Sequence, residues 1–103
     1  MGREQSNEDE KSLFLNEKPV MALVTIRRNR GELYVSQIAK NVDTTYAHTV
    51  KIINKLEETG HVKSRKKGRK KFCQLTDKGK DRAERFGTLV DTIEQEATSP
   101  ILA

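Results

Sequence analysis

The sequence predicts a mainly α-helical fold with one small β-hairpin and a long C-terminal helix, on three observations. Apolar residues recur at spacings of three and four in most of the chain, the rhythm of helices that bury one face. One stretch, from His61 to Leu75, breaks that rhythm and holds two short strand candidates around a basic, glycine-containing turn. Beyond it, Ala83, Phe86, Val90, Ile93 and Ala97 succeed one another at intervals of 3, 4, 3 and 4, a heptad seam that Leu89 widens.

Taken in order, residues 1–11 offer no apolar side chain beyond Met1 and are expected to form a disordered acidic tail. Ser12 to Leu15 make a short apolar knot. A first helix comes next, with Asn16 as its cap and Pro19 in its first turn, where proline is tolerated. Val20, Leu23, Val24 and Ile26 form its stripe, and Asn29-Arg30-Gly31 stops it. A short helix from about Ser36 to Lys40 points Val35, Ile38 and Ala39 inward. In the turn Asn41-Val42-Asp43, Asn41 accepts positive φ, Val42 plugs the core and Asp43 caps a longer helix. That helix runs from Thr44 to about Thr59, burying Thr49, Ile52, Ile53 and Leu56. Strands at His61–Arg65 and Lys71–Leu75 flank a turn at 66–70, with Cys73 and Leu75 on one face and Phe72 and Gln74 on the other. Thr76 caps the last helix, which ends near Thr98. The expected division is a tail at 1–11, a helix-and-hairpin domain at 12–80 and a C-terminal helix at 81–103.

Composition narrows the function. The chain has 103 residues, of which 34% are hydrophobic and 5% aromatic, with no Trp. That is thin for a lone small domain, and the single cysteine, Cys73, rules out an intrachain disulfide. Self-association is the remaining support, with Leu13, Phe14, Ala83, Phe86, Leu89, Val90, Ile93 and Ala97 as the expected homodimer interface and Leu15 beside it. No apolar run is long enough to cross a bilayer, and the polar N-terminus is no signal peptide, so a cytoplasmic protein is expected. Residues 1–10 carry one base and four acids, residues 83–103 the same, and residues 11–82 carry 18 bases against 7 acids. A basic body between acidic ends calls for a polyanion, with nucleic acid ahead of an anionic membrane surface. His48 and His61 make no metal set with Cys73. No phosphate loop, nucleophilic triad or paired carboxylates appear, so neither an enzyme nor a cofactor is expected.

A short helix, a tight turn and a longer helix, succeeded by a basic hairpin, form the layout of a winged helix-turn-helix. Its third helix is sized for the major groove of double-stranded DNA. With Thr49, Ile52, Ile53 and Leu56 inward, Thr44, Ala47, His48 and Lys51 form the outward stripe. Thr45 lies at its start, and Tyr46 joins either the stripe or the core. Ser36 and Lys55 complete the helical contacts. In the wing, Lys63, Arg65, Lys66, Lys67, Arg69, Lys70 and Lys71 are seven bases without an acid. Gly68 permits the turn that aims Arg69 at a narrow minor groove.

The stretch from Ser36 to Lys80 resembles the winged helix-turn-helix of MarR- and PadR-type transcriptional regulators, especially small archaeal forms. Leu56-Glu57-Glu58-Thr59-Gly60-His61-Val62 is similar to their "LEExGLV", and Leu75-Thr76-Asp77-Lys78-Gly79 to their "LTxKG". The resemblance implies a homodimeric, sequence-specific regulator of transcription. His61 departs from it where the family has an apolar residue, and the short chain leaves little room for the family's effector pocket, so no effector is assigned. The alternatives are a winged helix that coats DNA without specificity, or one that contacts protein or RNA. RNA is disfavoured because no row of exposed aromatic residues offers stacking.

Overall fold

A computed structural model describes the backbone of residues 2–98 and the side chains of 8–97. The order is α1 (Gly2–Phe14), α2 (Glu17–Arg28), β1 (Glu32–Tyr34), α3 (Val35–Val42), α4 (Tyr46–Glu58), β2 (Val62–Lys67), β3 (Lys70–Leu75) and α5 (Asp77–Thr98). The strands form one antiparallel sheet in the order β1-β3-β2. The mainly α-helical winged fold with a long C-terminal helix is therefore present, with two additions to the sequence expectation.

The first addition is α1. Where a disordered tail was expected, the chain is helical from Gly2, and its end is tied down. Glu10 takes hydrogen bonds from Arg82 Nε at 2.6 Å and from His61 Nε2 at 3.2 Å, and Lys78 Nζ lies 3.5 Å away. Phe14 sits edge-on to the His61 ring and tilted against Phe86, both at 5.0 Å. A polar segment thus gains order from two cations, Arg82 and Lys78, and two rings, His61 and Phe86, distant in sequence, rather than from an apolar stripe of its own.

The second is β1. Leu33 faces the core and pairs with Cys73, with Glu32 and Tyr34 opposite Gln74 and Phe72. The turn before it leaves α2 through left-handed Arg30 and Gly31, whose φ values are 65° and 82°. The Gly31 amide returns to the Ile26 carbonyl at 2.9 Å, so the helix stop also launches a strand. Asn16 holds the N-cap position of α2 but turns its amide back to the Ser12 carbonyl at 3.1 Å instead of capping.

The core joins Ala22, Leu23 and Ile26 of α2 to Ile38 and Val42 of α3, and Ile52, Ile53 and Leu56 of α4. Val62, Cys73 and Leu75 close it from the sheet, and Ala83 from α5. Cys73 is fully enclosed, and burial pushes its thiol up to about 12, so it stays protonated and unreactive. Phe72 lies on the opposite face of β3, as its period demands, yet it too is buried, under Tyr34 and the stems of wing cations.

Candidate nucleic-acid interface

The turn between α3 and α4 fixes how α4 is presented. Asp43, not Asn41, is the left-handed residue, at φ 59°. Both residue types tolerate that geometry, but α3 runs two residues past Lys40, so Asn41 stays helical and bonds the Gln37 carbonyl. Lys18 of α2 donates to the Val42 and Asp43 carbonyls at 2.8 and 3.3 Å, satisfying the frayed end of α3. The cap of α4 is Thr45 rather than Asp43, its hydroxyl accepting from the His48 amide at 3.0 Å. The Thr49 hydroxyl, buried, donates to the Thr45 carbonyl at 2.8 Å and fastens the first turn.

From that start, Ile52, Ile53 and Leu56 point into the core. Tyr46, Ala47, His48 and Lys51 point out, with Tyr46 52% exposed and so on the stripe, not in the core. Thr45 and Ser36 are exposed, while Thr44 is half-buried just ahead of the helix. Lys55 is exposed but lies toward the other end of α4. There it lines a groove of about 300 Å³ with Asp9, Ser12, Leu13, Asn16, Glu58 and Thr59, apart from the stripe.

The wing is longer and its turn tighter than expected. Its strands pair as far as Lys67 with Lys70, leaving only Gly68 and Arg69 in the turn. Gly68, at φ 65°, takes the first central position, the glycine-first pattern of a two-residue hairpin. Arg65, Lys66, Lys67, Arg69 and Lys70 are exposed. Lys71 is half-buried, 3.3 Å from Asn54 Oδ1 and 3.9 Å from Glu57, and the Ser64 hydroxyl donates to Glu57. These contacts tie the wing to α4.

The two sequence signatures explain each other in space. Thr76 caps α5 by accepting from the Gly79 amide at 3.0 Å and donates to the Gly60 carbonyl at 2.6 Å. Lys78 donates to the Thr59 carbonyl at 2.9 Å, closing the end of α4. Gly79 lies so close to the His61 backbone that a Cβ there would sit 1.9 Å from the carbonyl oxygen. His61, fully buried, fills the position of the expected apolar residue by another route. Its Nε2 donates to Glu10, and its Nδ1 lies 2.7 Å from the Thr59 hydroxyl. Burial holds its pKa below the ordinary value, helped by the charges of Lys78 and Arg82 and opposed by Glu10. The neutral ring therefore accepts from Thr59.

The expected dimer residues divide. Ala83 is fully covered by its own chain and is unavailable to a partner; Leu13, Phe14 and Phe86 are half-buried against the same core. Val90 is half-buried and Ala97 exposed, and Leu89 and Ile93 are each 56% exposed. The seam thus serves the domain at its start and leaves an apolar strip open further along. Leu15 is exposed as well. Among the described residues, no three His, Cys, Asp or Glu side chains converge to hold a metal, and no helix is long and apolar enough to cross a membrane.

The geometry agrees with what this chain resembles among known proteins. Residues 15–79 match the family model of winged helix DNA-binding domains. An uncharacterized protein of Archaeoglobus fulgidus is 32% identical over 93 residues, covering 86% of this chain and 98% of that protein. The crystal structure of AF1382 from the same organism is 30% identical, with a TM-score of 0.69 over 77% of this chain and 90% of that one. The fold is also that of a MarR family transcriptional regulator from Silicibacter pomeroyi, at 24% identity and TM-score 0.68 over 82% of this chain and 58% of that one. The Staphylococcus aureus regulator MepR, in its complex with DNA, superposes with a TM-score of 0.73 at 19% identity, covering 97% of this chain and 75% of that one. On the family match over residues 15–79 and the whole-length archaeal relative, the chain belongs to the winged helix DNA-binding domains, with the fold of MarR-type regulators.

Proposed function

We propose that two copies of this chain bind a specific double-stranded DNA sequence and regulate transcription there. The N-terminal half of α4 lies in the major groove, and the wing lies on the adjacent minor groove and its phosphates. The observation that carries this reading is the division of α4: Ile52, Ile53 and Leu56 are spent in the core, while Ala47, His48 and Lys51 stand clear of it. A groove about 12 Å wide admits such a helix, and the lysine and the histidine ring reach base edges or phosphates from it. Thr45 and Ser36, at the starts of α4 and α3, add hydroxyls at helix N-termini that favour phosphate.

Pairing of two chains through the open strip of α5 places two such helices on one duplex. The MepR complex, where a protein of this fold is seen on DNA, supports DNA as the partner. The test is selection of duplexes from a random library by the full chain. Enrichment of an inverted repeat, with half-sites about 10 base pairs apart, is the expected result. Uniform recovery of all sequences would show a coating protein instead.

A further inference from the structure

We propose that Lys18 is a positioning residue for sequence discrimination: it reaches from α2 to fix the turn that aims the exposed first turn of α4. The inference rests on the DNA-binding reading and deepens it, since Lys18 acts through α4 and not by touching DNA itself. Its ammonium stands 2.8 Å from the Val42 carbonyl oxygen and 3.3 Å from that of Asp43, residues 24 and 25 positions further along the chain.

The turn needs an outside hold. α3 ends at the left-handed Asp43, a conformation that glycine adopts freely and other residues do not. The amides of Asp43 and Thr44 turn back to the Lys40 and Ala39 carbonyls at 3.3 and 3.1 Å, closing the helix. The carbonyls left over are those of Val42 and Asp43, and Lys18 is the donor they receive. A helix C-terminus carries partial negative charge, so an ammonium is favoured there, and a charged donor binds more strongly than a neutral one. Among the described residues, no carboxylate pairs with Lys18 to draw it away.

The first turn of α4 depends on that hold. Tyr46, Ala47 and His48 are all exposed, and the buried residues of the helix begin at Thr49. Packing therefore fixes α4 from its second turn onward, but not the end offered to the major groove. Thr45 sets that end, its hydroxyl accepting from the His48 amide and its carbonyl from the Thr49 hydroxyl. Only Thr44 separates Thr45 from the Asp43 carbonyl that Lys18 grips, so a rotation at Asp43 passes directly into the cap. α2 is a firm strut for this purpose, because six of its residues between Pro19 and Ile26 are buried. Base edges are read through hydrogen bonds that weaken steeply with misalignment, whereas phosphates attract cations over a longer range. Loosening the turn therefore removes sequence preference and leaves general affinity for duplex DNA.

The experiment compares the full chain with Lys18→Met, which keeps the stem and loses the donor, and Lys18→Arg, which keeps a charged donor. Thermal melting first establishes that each folds; Lys18→Gln, too short to reach both carbonyls, replaces the methionine variant if it does not. Each is titrated across salt with the library-selected duplex and with a random-sequence duplex. Lys18→Met should bind the selected duplex about tenfold more weakly, on the order of one base contact, and the random duplex as wild type does, with the same salt slope. Lys18→Arg should recover most of the preference. In the absence of DNA, amide exchange at His48 and Thr49 should quicken in Lys18→Met, while Ile53 and Leu56 stay protected. Equal weakening on both duplexes, with a slope shallower by about 1, would make Lys18 a phosphate contact and overturn the positioning role. A lower melting midpoint with preference and exchange unchanged would overturn it too, leaving only a structural bond. A wild type that prefers neither duplex would overturn the sequence-specific reading itself, and exchange at His48 and Thr49 would then judge separately whether Lys18 holds the turn.

Discussion

Gly79 shows how a single residue ties the two sequence signatures together. Any side chain there meets the His61 carbonyl, which belongs to backbone and cannot swing aside. Gly79→Ala should therefore cost about 3 kcal/mol or more, as severe overpacking does. Thermal melting checks it, and an unchanged midpoint would contradict the close approach. Glu10 and His61 carry a pH dependence whose sign is the same for both. Burial works against ionising Glu10, but its hydrogen bonds from Arg82 and His61 prevail and hold its pKa below 4.5; burial holds His61 below 6.5. In each case the unfolded chain binds the proton more readily, so stability present at neutral pH is lost as pH falls. The loss should begin below pH 6.5 with His61 and continue below 4.5 with Glu10. The melting midpoint should drop accordingly, and Glu10→Gln should remove the part below 4.5. A midpoint that rises on acidification would refute the assigned contacts.

Among the elements, α4 and the wing hairpin were the most legible in the sequence, and the reason is local. Spacing of Thr49, Ile52, Ile53 and Leu56 suffices to orient α4, and the basic stretch around Gly68 marks the hairpin, although its turn is two residues long where 66–70 was expected. What escaped was decided by partners far along the chain. β1 is three residues long and exists because β3, some forty positions later, offers its edge. α1 has no apolar stripe over its polar residues, and is anchored by Arg82, His61 and Phe86. Which side of the hairpin faces α4 also escaped, because it is set by the contacts of Glu57 with Ser64 and Lys71. For the wing as an element, Arg69→Ala should weaken binding to duplexes with A/T-rich flanks, whose narrow minor groove attracts arginine. Lys11→Ala, on the exposed side of α1, should leave binding near wild type. Equal effects in a fluorescence titration would remove the tip from the interface.

At the scale of the whole molecule, charge and apolar surface are segregated along the chain. Seven bases and no acid lie between residues 61 and 71, in the wing, and the exposed apolar residues Leu89 and Ile93 lie on α5. α5 is 22 residues long, about 33 Å, and α2 braces it through Arg28, 3.0 Å from Asp91 and 3.8 Å from Glu94. With its first turns spent on the domain, the remaining strip is the surface through which two copies should pair. Leu89→Glu/Ile93→Glu should lower the mass measured by analytical ultracentrifugation to that of one chain without unfolding it, and weaken DNA binding. An unchanged mass would place the pairing surface elsewhere.

The central claim is that this basic surface is complementary to duplex DNA, and ionic strength interrogates it most directly. Each phosphate neutralised releases condensed counterion, so the affinity of the full chain, titrated across a series of salt concentrations, counts the contacts. With about six phosphates engaged per dimer, log affinity should fall against log salt with a slope on the order of −5. A slope near zero would mean that the lysines and arginines of the wing and α4 face solvent in the complex, and would contradict the account.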